Sequence, residues 1–392
     1  MTSQNTKAYT LDFIPSEESI QGFMRLILEL ENETILKVDP HIGFLHRGIE
    51  KILENRTYLQ GLSYFDRLDV GAPLIQEQAF VLTVERLLGV RPPPRALHIR
   101  VLFSELTRLL SHLLNVGNMG ASMGMKVPLS LAVEGREKIL ELFEGVSGSR
   151  FFPLYFRPGG VQKDVSSDFL KEMGNLVDFL RQRLQQIEDF LSENIIFKQR
   201  TVGMGVMGAQ ESLEWGLSGP ILRAAGVAWD LRRAQPYDAY QDITFKIPTG
   251  TRGDAYDRYL VRMAEMYQSL DIIEQCLEKM PGGSIQSLTL KISPPSPKEM
   301  RVSMESLIEH IKLYREGFKV PAGQTYGAVE SPRGEFGVFL VADGTRKPFR
   351  CKVRSPGFST LQALDSFVKG HRLSDLPVIL ASLDISCGEV DR

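Results

Sequence analysis

The sequence predicts an α+β fold, with a long central helical bundle and small antiparallel sheets near the N- and C-terminal ends. Three observations support this: alternating apolar residues near the N terminus, helical periodicity through the middle, and a glycine-rich alternating stretch at 326–353. The 392 residues exceed the usual size of one hydrophobic core. We therefore predict one interlocked unit of three regions: an N-terminal β-hairpin region at 1–45, a helical core at 46–283 and a C-terminal α+β region at 284–392.

Local patterns define the elements of these regions. Strands are expected at 9–14, 22–30 and 34–38, with a hairpin turn at 31–33. Helices are expected at 46–89 with a break near Pro73, and at 97–115, 135–145, 167–194, 254–280 and 300–314. The prolines at 92–94 form a rigid connector because proline cannot continue a helix, and 157–161 is a tight turn. Hairpins at 326–353 and two amphipathic segments complete the chain.

Composition excludes several classes of protein. The formal net charge of −2 argues against a general nucleic-acid binder, which normally has a basic bias. Cys276, Cys351 and Cys387 are far apart in sequence, so we expect a reducing compartment and neither a disulfide framework nor a typical metal site. The longest uncharged run, at 109–125, is too short and too polar for a membrane-spanning helix. We expect a soluble chain, or a soluble part of a larger assembly.

One glycine motif resembles a dinucleotide-binding fingerprint. Gly203, Gly205 and Gly208 match the G-x-G-x-x-G pattern, and Asp230 lies at a suitable distance for a ribose contact. The fingerprint needs a strand, a glycine turn, a helix and a second parallel strand. A short strand at 201–206 fits, but 218–220 ends the following helix after about two turns and no second strand follows. We interpret the motif as a closely packed turn, and an independent nucleotide-binding enzyme as the weakest alternative.

The sequence does not predict a metal site or a catalytic nucleophile. His46 and Glu50 are four residues apart and could share one face of a helix, as could Glu50 and Glu54. Such a carboxylate pair is far more often solvated, and two of the six histidines are not a cluster. Cys387 is expected to be a small buried apolar residue.

Several arginines lie on or beside largely apolar segments. They are Arg47, Arg56, Arg67, Arg95, Arg100, Arg108 and Arg157. Half-buried arginines need carboxylate or carbonyl partners. The available carboxylates are Glu50, Asp66, Asp69 and Glu105. Two interpretations remain open: an internal network of ion pairs, or a positive potential directed at an anionic redox centre or a neighbouring protein.

Seven ordered motifs together resemble one known family. They lie at 41–51, 64–69, 157–161, 229–232, 252–259, 331–337 and 388–392. These segments resemble the D subunit of respiratory complex I, known in mitochondria as the 49 kDa subunit. The resemblance covers essentially the whole chain without large insertions.

The resemblance implies a fold, a ligand and an assembly. The family is distantly related to the large subunit of nickel–iron hydrogenases, without the nickel cysteines. Its vacated metal cavity holds the headgroup of a quinone beside the terminal [4Fe–4S] cluster of the neighbouring B subunit, and Arg47 matches the arginine that faces this cluster. The chain itself would bind no cofactor and no metal, with FMN and NADH elsewhere in the complex. It would contact subunits B and C, and H and I near the membrane, but no nucleic acid.

The same resemblance implies a peripheral position on the cytoplasmic side of a bacterial inner membrane, or on the matrix side in mitochondria. There the complex transfers electrons from NADH to quinone and translocates protons. Further residues match cavity positions or structural ion pairs: His46, Glu50, Arg67, Asp69, Arg157 and Asp164.

The chain departs from the family where the quinone headgroup would bind. The histidine, tyrosine and aspartate of the family site correspond to Gln21, Val70 and Ser122, and a further histidine near the cluster corresponds to Phe152. Quinone reduction consumes two protons, and glutamine can donate a hydrogen bond but cannot titrate, whereas valine can do neither. Two hypotheses follow. The chain forms a non-catalytic or altered part of the quinone cavity, or it is a structural paralogue in a complex with altered or lost quinone chemistry.

Overall fold

A three-stranded antiparallel sheet opens the fold. The computed structural model describes residues 8–16, 18–287, 292, 294–295 and 297–392. The strands are β1 (Tyr9–Phe13), β2 (Arg25–Glu31) and β3 (Thr34–His41), paired in the order β1–β2–β3. Glu31 pairs with Thr34 across the turn, and Asn32 there has a left-handed backbone conformation with φ of 55°. The three predicted strands and their hairpin turn are confirmed, although β2 begins three residues later than expected.

Helices form the body of the chain. They are α1 (Ile49–Leu53), α2 (Tyr58–Phe65), α3 (Pro73–Leu88), α4 (Pro94–Ala121), α5 (Lys126–Ser147), α6 (Ser167–Leu191), α7 (Ile195–Thr201), α8 (Ala209–Glu214), α9 (Pro220–Ala224), α10 (Leu231–Ala234) and α11 (Ala255–Glu278). A short hairpin of β4 (Phe156–Arg157) and β5 (Gly160–Val161) forms the predicted turn between α5 and α6. Within the described ranges, none of the helices is both long enough and apolar enough to cross a bilayer.

The helices predicted at 97–115, 135–145, 167–194 and 254–280 are confirmed as α4, α5, α6 and α11, and three of them begin at residues with a local cause. Helix α4 starts at Pro94, since proline at the first helical position loses no hydrogen bond. The Ser166 hydroxyl accepts a hydrogen bond from Phe169 N at the start of α6, and Asp254 accepts one from Asp257 N at the start of α11. These residues therefore fix where each of the three helices begins.

The helical stretch predicted at 46–89, with a break near Pro73, is confirmed at the break and after it, where α3 lies. Before the break the prediction is wrong, because that part is divided into α1 and α2. Thr57 and Gln60 form a reciprocal capping box that starts α2 as a separate helix. Gly48 precedes α1 in a left-handed conformation with φ of 67°, so α1 begins only at Ile49.

The C-terminal region combines a second sheet with short helices. Its elements are α12 (Pro297–Val302), α13 (Met304–Glu316), β6 (Gly323–Ser331), β7 (Gly334–Ala342), β8 (Arg350–Arg354), α14 (Pro356–Gln362), α15 (Leu364–Val368), α16 (Leu376–Leu383) and α17 (Cys387–Asp391). The predicted hairpins and the α+β class are confirmed, whereas the helix expected at 300–314 is divided into α12 and α13. The sheet lies on α3, where a Cβ atom at Gly327 would lie 2.3 Å from Thr83 Oγ1.

The two ends of the chain are joined by hydrogen bonds. The Asp391 carboxylate accepts hydrogen bonds from Gly43 N and Leu45 N, both at 2.8 Å. The Asp391 carbonyl lies 2.7 Å from His46 Nδ1, and Arg47 N donates to Arg392 O at 3.2 Å. Apolar residues of β2 and β3 share a separate small core with residues of α14, α15 and α16. This arrangement brings the N-terminal segment against the C-terminal helices.

The glycine motif at 203–208 is a packing turn, as interpreted. Helix α7 extends to Thr201, so the strand expected at 201–206 is wrong. Gly205 has φ of 57°, and a Cβ atom there would lie 3.0 Å from Arg258 Nη2 and 3.0 Å from Ile379 Cγ2. Asp230 caps α10 and pairs with Arg232 at 2.7 Å. Because Gly205 has no side chain, the backbone of the motif packs directly against α11 and α16.

Glu389 anchors α17 in the interior. Its carboxylate accepts hydrogen bonds from Ser355 Oγ at 2.7 Å, Gly357 N at 3.3 Å and Gln76 Nε2 at 3.2 Å. Burial, together with the negative charge of Asp69, raises the pKa of Glu389 to about 7, although its hydrogen bonds oppose this rise.

We expect Gly205→Ala to destabilise the chain more than Gly203→Ala. Gly203 has φ of 75° and nothing within 4 Å of the position of an added methyl group, so both substitutions carry the left-handed cost of about 1–2 kcal/mol. Only Gly205→Ala adds overpacking, of about 1–3 kcal/mol. Urea unfolding of both variants measures the difference. Equal losses would contradict the packing role.

We expect the unfolding free energy to fall as pH rises from about 5 to 8, and Glu389→Gln to reduce this slope. The unfolded carboxyl loses its proton near its ordinary pKa of 4.5, while the folded one keeps it to about 7. Stability is therefore greatest below the lower pKa value and is lost as pH rises through the upper one, by about 3 kcal/mol in total at about 1.4 kcal/mol per pKa unit. Urea unfolding across this range measures the slope. An unchanged slope, matching that of the exposed control Glu211→Gln, would contradict the assignment.

Candidate functional site

A small cavity, partly open to solvent, lies beside the start of β2, the end of α4 and the turn between α16 and α17. Its polar lining residues are Glu18, Ser19, Gln21, Asn115, Asn118 and Asp384. Its apolar lining residues are Ile20, Ala381 and Ile385. A concave site with convergent polar groups is a candidate ligand site.

Gln21 is held at this cavity by the C-terminal segment. Gln21 N donates to Ile385 O at 3.0 Å, and Cys387 N donates to Gln21 O at 2.8 Å. Its side-chain Nε2 donates to Asp384 Oδ1 over a long 3.5 Å. The backbone is therefore fixed while the amide keeps capacity for a further hydrogen bond.

Arg333, in the turn between β6 and β7, joins two carboxylates next to Gln21. Its guanidinium contacts Asp69, donates to Asp384 O at 2.8 Å and donates to Asp384 Oδ1 at 3.2 Å. Burial would lower the pKa of Arg333, but Asp384 and Asp69 raise it above its ordinary value. Burial raises the pKa of Asp69, which the charge of Arg333 opposes. Arg333 lies in one of the matched motifs, but no sequence pattern indicates its contact with Asp69 or Asp384.

Val70 lies beside this group with 53% of its surface exposed. Its neighbour Gly71 permits the close approach: a Cβ atom there would lie 3.1 Å from Arg333 Nη2 and 3.2 Å from Gln21 Oε1. Asp69 Oδ1 accepts a hydrogen bond from Gly71 N at 3.0 Å, which fixes the turn. The structure therefore brings Val70 and Gln21 to the same locality.

Ser122 does not line this cavity. It caps the C-terminal end of α4, and its hydroxyl donates to Met119 O at 2.9 Å within its own helix. Asn118, one turn earlier on α4, lines the cavity instead. The role of Ser122 as a quinone-cavity position stays a prediction.

Arg47 is anchored by carbonyl groups. Its Nη1 donates to Arg67 O at 2.8 Å and its Nη2 to Gly388 O at 3.2 Å. Partial burial lowers the pKa of Arg47, and the charge of Asp391 opposes this. The exposed guanidinium has no carboxylate within an ion-pair distance among the described residues, so its charge is available to a neighbour.

His46 and Glu50 do not share a helical face, because α1 begins at Ile49. His46 Nδ1 lies 2.7 Å from Asp391 O. Glu50 Oε1 accepts a hydrogen bond from Val353 N at 2.9 Å. Each residue therefore connects the N-terminal part of the chain to the C-terminal region, separately from the other.

Arg67 and Phe152 are in contact. The guanidinium carbon of Arg67 lies 5.0 Å from the centre of the Phe152 ring, and its Nη1 donates to Ser63 O at 2.6 Å. A cation over an aromatic face is stabilising. Phe152 thus contacts Arg67 through its ring, which has no group that gains or loses a proton.

Arg157 faces two buried carboxyls, Asp66 and Glu77. Burial raises the pKa of Asp66 to about 7 and raises that of Glu77, while the charge of Arg157 opposes both rises. Asp66 directly precedes Arg67 in the chain, and Glu77 lies in α3.

Ion pairing accounts for several of the arginines found in the sequence. Arg95 Nε lies 2.8 Å from Asp164 Oδ1, and Arg100 Nη2 lies 2.6 Å from Glu85 Oε1. For these two arginines the internal interpretation is confirmed. Glu85 is not among the predicted partners. It lies in the apolar run of α3, and no local pattern there indicates which arginine packs beside it.

A larger buried ion cluster lies between α4 and α11. Glu265 accepts a hydrogen bond from Arg223 Nε at 2.7 Å and lies 2.9 Å from His112 Nε2. Arg223 Nη1 donates to Glu330 Oε1 at 2.7 Å. Burial would raise the pKa of Glu265, but Arg223 and His112 lower it below its ordinary value. Sequence reasoning missed this cluster, whose members are far apart in the chain.

In the described part of the chain, no group of three or more histidine, cysteine, aspartate or glutamate side chains is arranged to hold a metal ion. Cys276, Cys351 and Cys387 are buried, unpaired thiols. Burial raises the pKa of Cys276 and of Cys387 to about 12, which makes both poor nucleophiles. The groups that the cavity presents to a ligand are therefore its hydrogen-bonding and charged side chains.

Comparison with known proteins gives the family. The model of the family described as "Respiratory-chain NADH dehydrogenase, 49 Kd subunit" matches residues 122–392. Among similar proteins, the NADH-quinone oxidoreductase D subunit of Rhodospirillum rubrum is 52% identical over 392 residues, with both chains covered completely. The D subunit of Anaplasma phagocytophilum is 53% identical, covering 98% of each chain. That of Wolbachia pipientis wMel is 52% identical, covering 98% of this chain and 99% of its own. The chain belongs to the family of the 49 kDa subunit of respiratory-chain NADH dehydrogenase, whose bacterial members include these D subunits.

Proposed function

We propose that the chain is the D subunit of a proton-translocating NADH-quinone oxidoreductase and forms part of its quinone cavity. The observation that carries this proposal is the cavity at Gln21, held in place by Arg333, Asp69 and Asp384. Buried ion pairs of Arg333 hold Asp69 and Asp384 next to Gln21, and backbone hydrogen bonds hold Gln21 itself, which supports a defined headgroup position. The residues at that position, however, differ in chemistry.

The headgroup would meet Gln21 and Val70. Gln21 can donate one hydrogen bond to a quinone oxygen, which fixes orientation without supplying a proton. Val70, being half exposed, offers apolar contact to the ring. Binding would then depend on shape and one amide, and both protons of reduction would come from water or from a neighbouring protein of the complex.

Arg47 would face the [4Fe–4S] cluster of the B subunit. Its exposed guanidinium, anchored by two carbonyls, carries a charge that can stabilise an added electron on a nearby cluster. The chain itself would bind no cofactor, with FMN and NADH elsewhere in the complex. Subunits B and C, with H and I near the membrane, would cover its exposed surfaces on the cytoplasmic side of the inner membrane.

A second candidate is a structural paralogue in a complex with altered or lost quinone chemistry. The replacements at Gln21 and Val70 favour it, since both remove a titratable group from one locality while buried ion pairs remain. The two candidates differ in whether the assembled complex reduces ubiquinone.

We expect Gln21→His combined with Val70→Tyr to raise NADH:ubiquinone activity of the assembled complex. A positioned acid contributes about 10²–10⁴-fold to a proton transfer, so a gain of at least severalfold is expected if local protonation limits turnover. Inhibitor-sensitive NADH oxidation measures it.

The matched control is Gln21→His with Val70→Phe, which has the same ring without the hydroxyl. Equal rates for the two double variants would contradict a role for the hydroxyl. Absence of ubiquinone reduction by the unaltered complex and by both variants would favour the paralogue instead.

We expect Arg47→Gln to lower the midpoint potential of the neighbouring cluster in the assembled complex. Removing a positive charge makes the added electron less stable. Redox titration followed by electron paramagnetic resonance measures the shift. Arg25→Gln, which removes a guanidinium paired with Asp12 on the N-terminal sheet, is the control. Equal shifts in both variants, or none for Arg47→Gln, would show that Arg47 does not face the cluster.

A further inference from the structure

The side of α13 that faces away from the protein is apolar. Its exposed apolar side chains have between 39% and 68% of their surface in contact with solvent, and they form what we call the apolar stripe: Met304, Leu307, Ile308, Ile311 and Tyr314. With 3.6 residues per turn, these positions fall within about 120° of the helix circumference. Single exposed apolar residues are common, whereas a contiguous apolar surface marks a site of interaction. The stripe is therefore a candidate docking surface.

The side of α13 that faces the protein is less apolar than the stripe. Of the 13 residues of this helix, all of them described, Leu313 alone is buried. Ser306 and His310, which lie on the same side, are half-buried. These three positions are about 130° around the helix from the middle of the stripe. A surface helix of a globular protein ordinarily turns its apolar side towards the core, so α13 has the reverse orientation.

Contacts at the C-terminal end of α13 hold it in this orientation. Gly317 directly follows the helix with φ of 77°, and a Cβ atom there would lie 2.9 Å from Thr57 Cβ. The ring of Phe318 stacks on that of Tyr58, with 5.9 Å between the ring centres. Turning the stripe towards the core would break these contacts. The stripe therefore needs a partner from outside the chain.

The charged side chains of α13 follow an order along the helix. Glu305 and Glu309 lie in its N-terminal half, and Lys312 and Arg315 lie in its C-terminal half. Helices favour acidic residues in their first turn and basic residues in their last turn. A second helix that runs antiparallel would place its basic end against the acidic half of α13 and its acidic end against the basic half. The charge order therefore favours an antiparallel helix as the partner.

Two local contacts maintain this charge order. The Ser303 hydroxyl donates to Glu305 Oε2 at 2.7 Å and lowers the pKa of this carboxyl, so Glu305 is ionised at neutral pH. Glu316 would add a negative charge at the basic end, but it pairs with Arg346 at 2.5 Å. The two halves of α13 therefore present opposite charges to a partner.

The same features argue against two other occupants. A helix that lies on an anionic bilayer carries lysine and arginine along its polar side, and the acidic half of α13 would be repelled there. A second copy of the chain, meeting α13 with α13, would bury little more than the stripe. Stable interfaces use about 20–30 residues on each side. A different subunit can extend the contact beyond α13.

We propose that α13 is a docking helix for another subunit of the complex, and that its occupant is an antiparallel amphipathic helix. The apolar residues of the occupant pack on the stripe, and its basic end lies beside the acidic half of α13. Removal of apolar area from water supplies affinity, while the ordered charges set the direction of the partner helix. This role rests on membership of a family of enzyme subunits and does not require quinone reduction.

The first test changes the middle of the stripe and measures assembly. We expect Ile308→Glu combined with Ile311→Glu to lower the amount of the chain recovered in the complex at least fivefold, measured by quantitative mass spectrometry of the purified complex. Both positions are exposed, and glutamate favours a helix more than isoleucine does, so the helix itself should persist. The matched control, Ile308→Leu with Ile311→Leu, keeps the surface apolar and should stay within twofold of the unaltered chain. Equal recovery of the two double variants would overturn the proposal.

The second test identifies the occupant in the assembled complex. Ile311 is replaced by the photoreactive residue p-benzoylphenylalanine, the complex is irradiated, and crosslinked peptides are sequenced by mass spectrometry. We expect a peptide of a different subunit, with apolar residues three and four positions apart and with lysine or arginine towards its C-terminal end. The same photoreactive residue in place of Glu211, which is exposed on α8, should not capture this peptide.

Three outcomes of the crosslinking would overturn the proposal. Adducts with phospholipid would show that a bilayer covers the stripe, and adducts between two copies of the chain would show self-association. Absence of adducts above the level found at Glu211 would show that the stripe is uncovered. Failure of the unaltered complex to reduce ubiquinone would overturn the proposed function instead, because neither assembly nor crosslinking depends on that reaction.

Discussion

The contact of Arg333 with Asp69 and Asp384 is the interaction on which the site depends. It joins the segment after α2, the turn between β6 and β7, and the end of α16. Removing one partner from a buried ion pair costs about 3–5 kcal/mol, because the remaining charge stays buried. Gln21 and Gly71 lie directly against this group, so the cavity keeps its shape only while the three charges balance one another.

The charged groups and the headgroup position have different chemical characters. Around the cavity, carboxylates and guanidinium groups pair with each other. Positions 21 and 70, in contrast, carry no titratable side chain. Deeper in the bundle, Glu265, Arg223 and His112 form a polar interior between long helices.

Much of the fold could be predicted because its signals are local. Helices α6 and α11 begin at Ser166 and Asp254, and N-cap residues of this kind are visible in a sequence. The error at 46–89 also had a local signal, since Thr57 and Gln60 have the spacing of a capping box. The glycine motif was interpreted correctly because the fingerprint needs a second strand that the sequence does not provide. The helical pairing of His46 with Glu50 failed because Gly48 turns the chain between them.

By itself, the sequence determined the family resemblance and the chemical capacity of each side chain. Glutamine at 21 and valine at 70 cannot supply protons in any conformation, because that capacity belongs to the side chain alone. Only the tertiary structure decided which groups meet. Arg333 lies 264 residues from Asp69, and His112 lies 153 residues from Glu265. No local pattern links such positions, since their contact depends on how complete helices and sheets pack. The burial that changes their pKa values arises from the same packing.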